Sequence, residues 1–237
     1  MMFLRNQPGS TTLACFSPPV MILTLLIEFG LAMYVLFRYK LHKSTTIIVL
    51  ILILLGLFQL AEYQVCGGNQ ALFWSKAGFV TITLLPALGV SLIHTVASKK
   101  LTQTYNLLAW LMATFFVVVI LITPIRELSP VCNGNYVIFK YAHPNNFSII
   151  AYTVYYYGLL LGGIYAAYIW AKAIKGNRRR ALYLIITSYL VFIVPTFIIN
   201  VILPYTVMAI PSILCGFAVF AALLFALAVN PLLGKKR

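Results

Sequence analysis

Gln59 and Glu62 stand three residues apart at the close of an apolar run, Thr45 to Leu57, and lead into Cys66. On a helix this spacing puts an amide and a carboxylate on one face. A solitary glutamate here would mark where a helix leaves the bilayer and would snorkel to the interface. Gln59 has no place in that boundary reading, so the pair is read as lining a polar pocket, with Gln59 and Glu62 as ligand contacts.

Glu28 is the second intramembrane ionisable group. It lies about ten residues into the first apolar run, close to the bilayer midplane at a rise of about 1.5 Å per residue, and an ionisable group at that depth usually faces a cavity or a partner. With no Lys or Arg at matching depth it is expected to be protonated or hydrogen-bonded to the second or seventh helix. The bland role is an interhelical hydrogen bond that orders packing; the sharper one is proton coupling.

Tyr152, Tyr155, Tyr156 and Tyr157 cover most of a helical turn, so at least one points inward, and Tyr155 and Tyr156 are taken as ligand contacts. Aromatic belts are the ordinary role of Tyr near an interface. Gly158, Gly162 and Gly163 follow, with the spacing that lets a neighbouring helix approach closely. Asn200, flanked by Pro195 and Pro204, completes the expected binding set, and kinks at Pro86 and Pro195 are expected to shape the cavity. Pro211 falls at the start of the seventh run. His94 is a lone intramembrane imidazole. His42 and His143 belong to opposite loops, so a haem or metal site is disfavoured. Ser91 and His94 share a face, so a satisfied interhelical hydrogen bond is the expected role.

The elements that must position these residues follow from composition. Of 237 residues, 62% are hydrophobic and 8% charged, with no Asp and only three acidic residues. The mean hydropathy is +0.99. Soluble domains of this length carry about 25% charged residues. Seven apolar runs are long enough to cross a bilayer as helices, at about 18–39, 44–64, 77–98, 104–125, 147–171, 180–203 and 207–230. The alternating ten-residue segments of a membrane β-barrel are missing. The expected fold is an all-α, polytopic seven-helix bundle in one domain, preceded by a short tail over 1–17 and followed by a basic tail over 231–237. Neither a cleavable signal nor a lipoprotein signal is read at the start. Asn230-Pro231 reads as a helix stop.

The net charge of +14 is a matter of placement. Arg38, Lys40, Lys43, Lys99, Lys100, Lys172, Lys175, Arg178, Arg179, Arg180, Lys235, Lys236 and Arg237 fall on one side; Arg5, Lys76, Arg126 and Lys140 fall on the other. The positive-inside rule then puts the N-terminus outside and the C-terminus in the cytoplasm of a cell membrane, and the cations against anionic headgroups rather than nucleic acid. The loops on the basic side are too short for a kinase, nucleotide-binding or DNA-binding domain, so a partner is expected to supply any soluble output. The basic loop from Lys172 to Arg180 is its candidate docking point.

With that topology Cys15, Cys66 and Cys132 face the oxidising side. Cys66 and Cys132 are expected to pair across the loops that flank the third helix; Cys15 competes for either or stays free. Cys215 packs as a small apolar residue.

Enzyme chemistry finds no footing. No run holds the Lys a retinal protein needs, metalloprotease, nucleophile-elbow and phosphate-loop motifs are missing, and a chain without Asp has no aspartyl pair. No cofactor is expected.

The segment Cys15 to Met21, Ala61 to Cys66, Trp74 to Gly78, and Leu84 to Pro86 with His94 together resemble prokaryotic seven-helix membrane proteins whose nearest described relatives are the N-terminal seven-helix sensor regions of bacterial histidine kinases. The resemblance implies a membrane sensory module; the chain departs from the pattern in ending at Arg237 without a kinase domain, and no site residue carries over. The leading expectation is a receptor-like module binding a small or lipid-derived ligand in the outer half of the bundle. A small proton-coupled transporter using Glu28 and a membrane scaffold are the alternatives.

Overall fold

The computed structural model describes residues 18–68, 70–98, 100–123, 128–132, 137–141, 146–203 and 209–236. Seven of its helices are long and apolar enough to cross a membrane. A chain this poor in polar side chains has no water to satisfy its backbone inside a bilayer, and the helix is the form that satisfies every N–H and C=O within one segment.

The long helices are α1 (Pro18–Arg38), α2 (Lys43–Cys66), α3 (Ala71–Ala97), α4 (Lys100–Ile122), α5 (Asn146–Ala173), α6 (Asn177–Ile202) and α7 (Ile210–Leu224). Between α4 and α5 lies a hairpin that hydropathy did not anticipate: β1 (Leu128–Cys132) pairs antiparallel with β2 (Val137–Tyr141), from Leu128 opposite Tyr141 to Cys132 opposite Val137. β1 packs against both α2 and α3.

Burial separates the helices into two groups. In α3, 72% of the spanning window is buried, against 22% in α4; α2 and α7 resemble α3, whereas α1, α5 and α6 keep most of their surface outward. So α2, α3 and α7 form the centre, and the rest shield it from lipid. Gly89 marks the tightest approach: a Cβ there would collide with the Tyr189 hydroxyl of α6.

Several expected boundaries shift. α3 begins at Ala71, so Trp74 and Lys76 belong to its first turns, and the Lys76 ammonium donates to the Leu121 carbonyl near the end of α4 at 2.9 Å. A cation suits the negative end of a helix dipole. Arg178, Arg179 and Arg180 open α6 instead of lying in a loop.

Asn230-Pro231 does not stop the last helix. α7 runs through a π turn, Phe225–Val229, into α8 (Asn230–Leu233). The Asn230 N–H donates to the Phe225 carbonyl, five residues back. Pro231 has no N–H and its ring crowds the carbonyl four residues earlier; the widened turn accommodates both defects. Asn230 is fully buried, not a tail residue.

The same terminal segment folds back on the first loop. Tyr39 bridges Lys236, and the Lys40 N–H donates to the Lys235 carbonyl at 2.9 Å. Lys40, Lys43, Lys172, Lys175, Arg178, Arg179, Arg180, Lys235 and Lys236 are exposed at this end of the bundle. It is called the Lys236 end below, and the opposite one, where α1 begins and α2 finishes, the Cys66 end.

Candidate functional site

Three helices meet near the Cys66 end and bring together the polar residues that the apolar runs could least accommodate. On α1, Thr24 and Glu28 are four residues apart and share a face. On α2, Gln59 and Glu62 do the same at a spacing of three, and α7 contributes Ser212, Cys215 and Gly216. Glu28, Glu62 and Gln59 are 0%, 1% and 2% exposed.

Glu62 accepts a hydrogen bond from the Ser212 hydroxyl. The charge that acts on Glu28 is the Glu62 carboxyl, and Cys215 interacts with both glutamates. Both Glu28 carboxyl oxygens, Glu62 Oε1 and Gln59 Nε2 have no hydrogen-bond partner among the described residues. Unpaired polar groups in a low-dielectric interior are costly.

A small cavity lies beside Glu62, lined by Val20, Met21, Thr24, Gln59, Glu62, Ser212 and Gly216; Glu28 is buried next to this group but does not line the cavity. The space open to the centre of a water-sized sphere is about 10 Å³, which is about one water. Thr24 donates its hydroxyl hydrogen to the Val20 or Met21 carbonyl, each at 3.0 Å. Towards the Cys66 end, Met21 and Val65 pack together against Cys66 and Trp74. Among the described residues no group of three His, Cys, Asp or Glu forms a metal-binding cluster.

The structure thus joins Glu28 to the Gln59–Glu62 pair, which the sequence had treated as separate sites, and it adds Thr24 and Ser212. Three expected contacts lie elsewhere. Tyr155 donates its hydroxyl to the Thr83 carbonyl of α3, in the turn preceding Pro86, and its ring packs on Phe116 of α4 with centroids 4.8 Å apart. Its role is to fasten α5 to α3 and α4. Tyr156 lines a different and almost wholly apolar space with Gly89, Tyr189, Phe192 and Cys215. Asn200 donates to the Thr196 carbonyl of its own helix at 2.8 Å and does not line the cavity.

Ser91 finds its partners on α4: it donates to Asn106 Oδ1 at 2.6 Å and accepts from the Trp110 indole N–H at 2.8 Å. His94 is half-buried and interacts electrostatically with Lys43 near the Lys236 end.

Cys66 is held in a disulfide. The Cys132 side chain and Cys15 lie outside the described residues, and the pairing expected between Cys66 and Cys132 rests with them. Cys215 is a free, buried thiol.

α7 carries the site at one end and a second buried polar contact beyond its other. The Thr45 hydroxyl of α2 donates to the Asn230 side-chain oxygen at 3.0 Å. Ser212 and Asn230 therefore attach both ends of the last spanning segment to α2.

No protein-family model and no curated protein matches the chain.

Proposed function

We propose that this chain is a receptor-like sensory module of a cell membrane, with the Cys66 end outside and the Lys236 end in the cytoplasm. It takes a small ligand at the cavity beside Gln59, Glu62 and Ser212 and signals through a partner at the basic inner face. One observation carries the reading: two glutamates from neighbouring helices are buried together, Glu62 lines a cavity, and three of their four carboxyl oxygens have no partner among the described residues.

Placement supports it further. The cluster occupies the half of the bundle that the charge distribution assigns to the outside. α7 connects it to Asn230 and to the segment paired with Tyr39. A ligand that pulled Ser212 from Glu62 would load one end of a helix whose other end is bonded to α2.

Two of the cations assigned to the inner face are oriented by contacts within the chain: Arg178 reaches Ser98 at 3.4 Å, and Lys172 lies over the Tyr168 ring at 4.2 Å. At the outer face β1 ends at Cys132 and packs against α2, which favours Cys132 as the partner of Cys66.

A thermal-shift screen of the purified chain in detergent tests the ligand site. Wild type is expected to respond to a subset of small polar molecules or ions, and Glu62→Gln to lose that response. Equal responses from both across the panel overturn the assignment. Tags at Met1 and Arg237, probed on intact cells, test the orientation: only the Met1 tag should be reached.

A second reading, proton-coupled transport, draws on Glu28, whose carboxyl lacks a hydrogen-bond partner beside a second carboxyl. Substrate-driven proton flux in proteoliposomes that Glu28→Gln abolishes would decide for transport over sensing.

A further inference from the structure

We infer that the Glu28–Glu62 cluster is a binding site for a small monovalent cation, taken up in exchange for a proton. The inference rests on the receptor reading above and names the chemical class of its ligand.

Charge balance comes first. Two carboxylates cannot both be ionised and uncompensated in a buried site, because each charge loses several kcal/mol of hydration. Neutrality needs two positive charges, supplied as two protons or as one proton and one cation. The titratable groups facing the cluster are Glu28 from α1, Glu62 from α2 and Cys215 from α7. None of these supplies a positive charge. Exchange is balanced as written: one carboxylic acid releases its proton to the outer solution, and the carboxylate left behind binds the cation.

The donor set then selects among cations. Glu62, which lines the cavity, offers one carboxyl oxygen with no hydrogen-bond partner among the described residues, while Glu28 does not line it and keeps its proton. Ser212 and Thr24 spend their hydrogens on Glu62 and on backbone carbonyls, and so keep hydroxyl lone pairs for the cavity they line. Gln59, 2% exposed, lines the same cavity with its amide nitrogen unpartnered. Turning that amide to present its oxygen forfeits no N–H hydrogen bond, and the two orientations are close to isosteric. All of these are hard oxygen donors, which suit alkali-type ions over soft metals.

Charge and size narrow the choice. A divalent ion needs two ionised carboxylates for neutrality, whereas Glu62 is the one carboxylate among the lining residues, and the cavity holds about one water-sized species. A sodium, potassium or ammonium ion stripped of its hydration shell has the right charge and bulk.

The test uses the full chain in detergent at constant ionic strength, with choline chloride replaced stepwise by NaCl, KCl or NH4Cl. Unfolding temperature and proton release into a weakly buffered dye solution are read together. At least one small cation should raise the unfolding temperature saturably and release about one proton per ion bound. Its apparent affinity should tighten about tenfold for each pH unit while that proton is being displaced.

Glu62→Gln should abolish the response, and Glu28→Gln should shift the pH at which it appears. Ser212→Ala should weaken it at least threefold while unfolding normally in choline, so that the proposal does not depend on the charge variants folding. Choline acting as well as sodium, a divalent ion outperforming every monovalent one, ion binding without proton release, or an unchanged response in Ser212→Ala would each overturn it.

A nitroxide at Lys236→Cys separates this outcome from that of the receptor reading. Cation binding that leaves the label's mobility unchanged keeps the ion site and removes the receptor role. A label that responds to another ligand while no ion binds does the reverse.

Discussion

Thr45, in the first turn of α2, donates a hydrogen bond to Asn230, 185 residues later in the chain, and both side chains are 0% exposed. It is one of two side-chain hydrogen bonds, among the described residues, by which α2 holds the last spanning segment, the other being Glu62 with Ser212. Hydrogen bonds between membrane helices contribute about 0.6 kcal/mol on average and up to about 1.7. A double-mutant cycle with Thr45→Val and Asn230→Leu, followed by reversible unfolding in detergent, should return a coupling in that range. Purely additive effects would show that the contact carries no weight.

Gly89→Ala should destabilise the bundle by about 1–3 kcal/mol, the usual range for overpacking. The added methyl would meet the Tyr189 hydroxyl head-on, with the ring's Cζ 3.0 Å away. Tyr189→Phe removes the hydroxyl and should recover part of the loss in the double variant. Gly158→Ala, where nothing lies within 4 Å, serves as the neutral control.

Tyr155→Phe should cost about 1 kcal/mol of stability, the net worth of an ordinary hydrogen bond, because the Thr83 carbonyl loses its donor. Ligand or ion responses at the glutamate cluster should be unchanged, as they should in Asn200→Ala. A loss of response in either variant would return these residues to the binding site.

Cys66→Ser should lower stability by about 2–4 kcal/mol, a typical disulfide contribution. Reductant should do the same to wild type and nothing further to the variant. Cys132→Ser should match Cys66→Ser and add nothing to it, with Cys15→Ser silent. The opposite pattern for Cys15 and Cys132 would reassign the bridge.

Much of the architecture could be read directly from hydropathy, since each spanning helix must be apolar over about 20 residues. The errors fall where that constraint stops. Trp74 and Lys76 are amphipathic, so the start of α3 at Ala71 left no hydropathy edge. The β1–β2 hairpin consists of five-residue strands without a regular alternation. Asn230-Pro231 carries the usual terminator signal, yet the buried bond to Thr45 and the π turn ahead of Pro231 carry the helix past it.

For the site, the spacing of Gln59 and Glu62 on one helix was visible because it is local. The union of Glu28 with Glu62 depends on how α1 is rotated against α2, which no spacing within either helix encodes. Ser212 had one signal, a small hydroxyl just after Pro211 at the start of an apolar run, too common to single out. Three consecutive tyrosines point around most of a turn, and only the packing of α5 on α3 and α4 decides that Tyr155 serves structure and Tyr156 faces the apolar space.

The π turn at Phe225–Val229 sets the angular register of everything after it. Each residue of an α-helix advances the chain by about 100°, so shortening this segment by one residue to an ordinary turn would swing Asn230 that far around the axis, away from Thr45. The Tyr39–Lys236 pairing would be displaced with it. A single extra residue therefore acts as the indexing tooth that aligns the Lys235–Lys236 segment with the first loop, and a deletion of Leu227 should uncouple the two while leaving the glutamate cluster assembled.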